Sequence, residues 1–317
     1  MSDPAKPGWE EARENQEILE PPSTGSLFRG PSLPFVFLRL CLYVALVEGI
    51  SYAWQWISRF ALPSGLYSSL PNRMMLGESI ELGSALSAAW MMSRLERRRF
   101  GEYGLPGCAA FAKLFWQGAL FGFGEISAVL GLIAALGGYR FAQLAIHGAD
   151  LWRWAILWGV VFLAVGFYEE FAFRGYIQFT LAQSVGFWPA AIVLSLIFGV
   201  MHATNPGESW VGLAGVVLSG LFWCLTLRRT GSLWFAAGMH ASFDFAETFL
   251  YSVPDSGIIF PGHLSNATLH GPAWLTGGTA GPEASVFDFL VLGVFFFVFP
   301  RLFPAKASRD QAAAGNA

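Results

Sequence analysis

Between Leu151 and Tyr168 the chain runs apolar except for Arg153, and it then places Glu169, Glu170 and Arg174 within six residues. The apolar pattern continues to Leu181, long enough for a helix to cross a bilayer. A charge at the centre of a spanning helix costs about 2.5–3.5 kcal/mol on insertion scales. Three such charges must therefore pair with partners or face a wet cavity. Spacing supplies one pair, because Glu170 and Arg174 stand four apart on the same helical face. Glu169 is turned about 100° from Glu170 and needs a partner from another element. Read alone, the stretch suits polar contacts between helices as well as it suits chemistry.

The rest of the chain is of the same kind. It has 317 residues, 54% hydrophobic and 13% charged, which excludes an ordinary soluble domain and a basic nucleic-acid binder. The fold class that follows is all-α, a polytopic transmembrane helical bundle of about eight spans. The predicted spans are Pro34–Ile57, Met74–Ser93, Phe115–Leu136, Leu151–Leu181, Phe187–Ala203, Trp210–Leu227, Ser232–Leu250 and Val286–Phe303. Trp54, Trp56, Trp152, Trp188, Trp210 and Trp234 fall near span ends, as in an aromatic belt. The three cysteines are far apart and form no metal or disulfide framework. Residues 1–33 read as a disordered cytoplasmic tail and 304–317 as a short polar tail.

Basic residues set the expected orientation. Arg94–Arg99, Arg228-Arg229 and Arg301, Lys306 and Arg309 mark cytoplasmic ends, whereas Val253–Ser285 has no Lys or Arg and belongs outside. Eight spans with both termini inside satisfy these assignments together. Arg59, Arg73, Arg140 and Arg153 then fall on the outer side and count mildly against them.

Two later spans carry the residues that lift the Glu169 stretch above helix packing. Phe198-Gly-Val-Met-His202 puts His202 deep in the fifth span, and His240-Ala-Ser-Phe-Asp244 puts an imidazole and an acid on one face of the seventh. Counted from their cytoplasmic ends at 1.5 Å per residue, Glu169, His202, His240 and Asp244 lie about 12–22 Å deep, in one layer of the hydrocarbon core. His147, His263 and His270 fall in loops. Glu48, Glu125 and Glu247 sit in spans without a sequence partner and read as helix packing or cavity lining, Glu125 also as a rival for Arg174.

The ordered motifs EExxxR (Glu169, Glu170, Arg174), FxxxH (Phe198, His202) and HxxxN/D (His240, Asp244) resemble the CPBP family of intramembrane proteases. These are the CAAX-processing and bacteriocin-processing endopeptidases, also called the Abi family. The likeness covers roughly residues 115–255, and Tyr103-Gly104-Leu105 with the glutamates of the second span resemble its upstream region. One position departs from the pattern, where Asp244 stands in place of the usual Asn.

The resemblance implies a single membrane protease domain over 34–303 with an intramembrane catalytic cavity. It implies a catalytic set of Glu169, His202, His240 and Asp244, supported by Glu170, Arg174 and Phe198. Glu169 would activate a water, with His202 holding that water or sharing its proton. Asp244 would be protonated, orient His240, or ligate a metal, because an ionised carboxylate repels an oxyanion. His202, His240, Glu169 and Asp244 could also hold a divalent metal such as zinc. A metal-free, glutamate-driven reaction is the slightly favoured alternative, and no other cofactor is implied. The partners are the lipid bilayer and a membrane-associated peptide or protein substrate, CAAX-type or another processed peptide. The location is a cell membrane crossed many times, taken as a bacterial cytoplasmic membrane. Two other functions fit parts of the pattern. A proton-coupled transporter would place acids and histidines at mid-membrane but calls for an internal repeat that this sequence lacks. A non-catalytic scaffold or an immunity or regulatory protein on the same fold would be expected to lose the base or the first histidine, and both are present.

Overall fold

The computed structural model describes residues 31–304. The tails expected at 1–33 and 304–317 lie outside them, apart from Pro31–Leu33 and Pro304. Besides the short helix Ala273–Thr276, nine helices organise the described chain: α1 (Leu33–Ala61), α2 (Leu70–Glu96), α3 (Lys113–Ala135), α4 (Ala149–Arg174), α5 (Tyr176–Val185), α6 (Phe187–His202), α7 (Trp210–Thr230), α8 (Trp234–Phe245) and α9 (Val286–Leu302). Local chemistry marks their ends. Pro34 and Pro71 occupy first turns, where a missing N–H costs nothing. Ser209 caps α7 by accepting from the Gly212 N–H at 3.0 Å, and Gly231 closes that helix with φ of 69°.

The helices stand where the apolar runs predict them. Four segments are long and apolar enough to cross a membrane: Leu33–Ala61, Lys113–Ala135, Ala149–Val185 and Trp210–Thr230. The outward faces are greasy. Phe37, Trp116, Leu120, Val200 and Phe297 are each more than 60% exposed, a pattern suited to lipid and costly in water. The protein is a helical membrane bundle.

One expectation is corrected. The fourth span is not one continuous helix to Leu181, because it breaks at Gly175, whose ψ of −121° leaves the helical region. A side chain there would run into the Phe171 carbonyl and ring. Apolarity continues through this point, so hydropathy does not reveal the break. The segment Val253–Ser285, named the outer segment for its expected side, packs back on the bundle. Thr268–Leu269 pairs antiparallel with Tyr139–Arg140, the Trp158 indole donates to the Pro261 carbonyl at 3.0 Å, and Phe260 packs on Trp158 and Phe162.

Helix α8 is the axis of the bundle. Every residue from Trp234 to Asp244 except Ser242 is buried. It is held closely because small residues face it. Gly118 and Gly122 of α3 lie against the Phe235 and Met239 carbonyls, Gly238 lies against the Phe115 carbonyl, and Gly166 of α4 lies against Ala237 and Ala241. Lipid provides no hydrophobic drive between helices, so this backbone-close packing is the main cohesion available. Beyond Phe245 the helix widens into a π-turn, Ala246–Leu250. Such turns often occur near functional groups.

Candidate active site

The two adjacent glutamates of α4 meet different surroundings. The Glu170 side chain is 1% exposed; its Oε1 lies 3.2 Å from Arg174 Nη1 and 3.2 Å from His240 Nδ1. The Glu169 side chain is 23% exposed and its Oε2 lies 3.7 Å from His240 Nε2. Neighbouring helical residues point about 100° apart, so one glutamate turns into protein and the other into a cavity. Asp244, one turn along α8, places Oδ2 at 3.4 Å from the same His240 nitrogen. His240 thus stands among three carboxylates, one at Nδ1 and two at Nε2.

Aromatic rings hold this cluster in place. The Arg174 guanidinium carbon lies 4.5 Å from the Phe198 ring centre and 5.3 Å from that of Trp223. Trp223 stacks on His240 with centroids 4.3 Å apart and planes 17° from parallel. Phe198 also packs edge-on against His202 at 4.6 Å. His202 Nδ1 lies 2.8 Å from the Phe198 carbonyl oxygen; with the proton on Nδ1, the other ring nitrogen is left as an acceptor.

Glu169, His202, His240 and Asp244 all line one cavity of about 300 Å³. Phe162, Phe198 and Trp223 form part of its apolar wall, and Phe260 of the outer segment helps to cover it. The structure therefore brings together Glu169, Glu170, Arg174, Phe198, His240 and Asp244 by direct contact, and His202 through Phe198 and the shared cavity. His147 and His270 are exposed and His263 bonds the Ser265 carbonyl, all away from these groups.

Sequence reasoning missed several wall residues. Trp223 was one; a Trp in the interior of a predicted span, away from any interfacial belt, was the available signal. Glu78, Asp255, Glu283 and Asp288 line the cavity as well, and Glu125 lies in the same wall. No spacing rule links these acids, since they arrive from α2, α3, the outer segment and α9. Burial pushes Asp255 up to about 6, against a hydrogen bond from Thr248, and pushes Glu283 well above the usual carboxylate range with the Asp255 charge adding to it.

The donors do not gather His202, His240, Glu169 and Asp244 around a common ion. His240 Nδ1 hydrogen-bonds Glu170, its Nε2 faces Glu169 and Asp244 at 3.7 and 3.4 Å, and His202 Nδ1 hydrogen-bonds a carbonyl, so these three nitrogens already have protein partners. Among the described residues, the group of three acids or imidazoles with one ligand atom each, all within 4.8 Å of one another, is Glu247, Asp255 and Glu283.

Residues 151–246 match the family model described as type II CAAX prenyl endopeptidase Rce1-like. Over that stretch the chain is similar to the CAAX-protease family. The matched residues span α4 to α8 and include every residue of the EExxxR, FxxxH and HxxxD motifs. No significant match was found among curated proteins or solved structures. The match supports a peptidase in general class, carried in a helical membrane bundle.

Proposed function

We propose that the protein is an intramembrane endopeptidase in which Glu169 is the general base for water attack on a peptide bond. The observation that carries this reading is the division of labour between neighbours. Glu170 is spent on Arg174 and His240, while Glu169 is partly exposed to the cavity that His202 also lines. A base must reach the proton that it removes, and Glu169 is the glutamate of the pair with access.

The remaining roles follow from contacts. His202, with Nδ1 committed to the Phe198 carbonyl, offers its other nitrogen to the same water or to the leaving amine. His240 faces the scissile carbonyl, with Nδ1 held by Glu170 and Nε2 between Glu169 and Asp244. Asp244 then orients His240, so an acid in place of the family's usual Asn need not face the oxyanion. Glu170 and Arg174 fix the helix and hold His240 from behind. This scheme needs no metal.

The substrate is a membrane-associated peptide or protein, CAAX-type or another processed peptide, that reaches a cavity wall rich in phenylalanine. The bundle end carrying Arg94–Arg99 and Arg228-Arg229 faces the cytoplasm in this reading, as the bias in basic residues favours. The test is cleavage of a membrane-tethered peptide library by wild type, Glu169→Ala and His202→Ala, each shown to be folded by thermal melting. Wild-type cleavage that both variants lose supports the assignment. Cleavage that survives Glu169→Ala refutes it.

A further inference from the structure

Glu247, Asp255 and Glu283 come from three places: the π-turn after α8, the start of the outer segment, and the residues just before α9. One carboxylate oxygen from each lies within 4.8 Å of the other two. Asp255 accepts from the Thr248 hydroxyl at 2.8 Å, and Glu283 from the Ser256 hydroxyl at 2.7 Å. Glu247 has no such help. It is 0% exposed and neither of its oxygens accepts a hydrogen bond. Among the described residues no Lys, Arg or His forms an ion pair with any of the three. A buried carboxylate without donor or counter-charge is costly, and three together are more so.

We propose that Glu247, Asp255 and Glu283 form a binding site for one hard divalent cation, calcium or magnesium. All the ligand atoms are oxygens, and no sulfur or imidazole is in the set, which selects this class over zinc or copper. The bound ion gives the two orphaned Glu247 oxygens a partner. It also ties the π-turn to both ends of the outer segment that helps to cover the cavity. Asp255 and Glu283 line that cavity, which gives the ion a route in. The trio shares the cavity but no residue with the Glu169–His240 cluster, and its existence does not depend on the peptidase reading.

The experiment uses the full-length protein in detergent, stripped with a chelator and dialysed against radioactive calcium. The expected result is saturable binding of about one calcium per chain, displaced by magnesium, with a melting temperature raised by several degrees. Glu247→Gln keeps the size of the side chain and should abolish both the binding and the rise. Because the change removes a buried charge, the variant should melt no lower than chelated wild type. Glu78→Gln, in the cavity wall away from the trio, should bind as wild type does. If Glu247→Gln does not fold, Asp255→Asn takes its place. An absence of saturable binding by wild type at millimolar calcium or magnesium overturns the proposal. So does unchanged binding by Glu247→Gln, or loss of binding in Glu78→Gln equal to that in Glu247→Gln.

Discussion

Trp223 lies flat on His240, with ring centroids 4.3 Å apart and planes 17° from parallel. The three carboxylates meet the His240 ring nitrogens, so the imidazole is held by charge at its edges and by an aromatic plane on its face. Stacking of this kind contributes about 0.5–1.5 kcal/mol. Trp223→Ala should slow peptide cleavage by about 2- to 13-fold, while Trp223→Phe keeps most of the rate. Rates of tethered-peptide cleavage, compared at equal folded fraction, check this. Equal rates for wild type and Trp223→Ala would remove Trp223 from any positioning role.

Glu169 and Glu170 should fail in opposite ways. Glu169→Gln is expected to lower the cleavage rate by about 10²–10⁴-fold with little change in melting temperature, as for loss of a general base. Glu170→Gln is expected to destabilise the fold by about 3–5 kcal/mol, because it leaves the buried Arg174 without its carboxylate. Melting curves and cleavage rates measured on both proteins decide. A stable, inactive Glu170→Gln beside an active Glu169→Gln would exchange their roles.

Arg174 should not tolerate lysine. Its guanidinium is enclosed by Phe198, Trp223 and Phe173 and reaches Glu170 at 3.2 Å. An ammonium keeps the charge but loses the planar contact with the rings. Arg174→Lys should lower stability by about 1–2 kcal/mol, read from thermal or denaturant unfolding in detergent. A melting curve that overlays wild type would show that charge alone is required.

The α3–α8 contact offers an internally controlled test. A β-carbon at Gly122 would collide with the Met239 carbonyl, whereas one at Gly124 meets nothing within 4 Å. Gly122→Val should cost about 1–3 kcal/mol or more and displace His240 along with its helix. Gly124→Val, on the lipid side, should change little. The two melting temperatures and cleavage rates are the readout, and equal damage from both would deny α8 its close seat against α3.

The positions of the helices were legible because membrane insertion leaves few options: long apolar runs, punctuated by Gly, Pro and capping Ser, form helices. The pairing of Glu170 with Arg174 was legible because four residues is a helical neighbour distance, and that of His240 with Asp244 for the same reason. The break at Gly175 was not, since it lies in backbone angles that apolarity does not encode. Gly118 and Gly122 carried a readable small-xxx-small signal for the α3–α8 seat that hydropathy passed over. Glu247, Asp255 and Glu283 were illegible as a group because tertiary folding alone brings them together.

The contact between Glu170 and His240 joins residues 70 apart in the chain. During synthesis, Glu169 and Glu170 leave the ribosome long before α8 exists, and until α8 docks between α3 and α4 they have no imidazole beside them. A growing chain halted ahead of Trp234 carries the acids but not the ring that organises them. The cluster can therefore close only after 70 further residues have been made beyond Glu170.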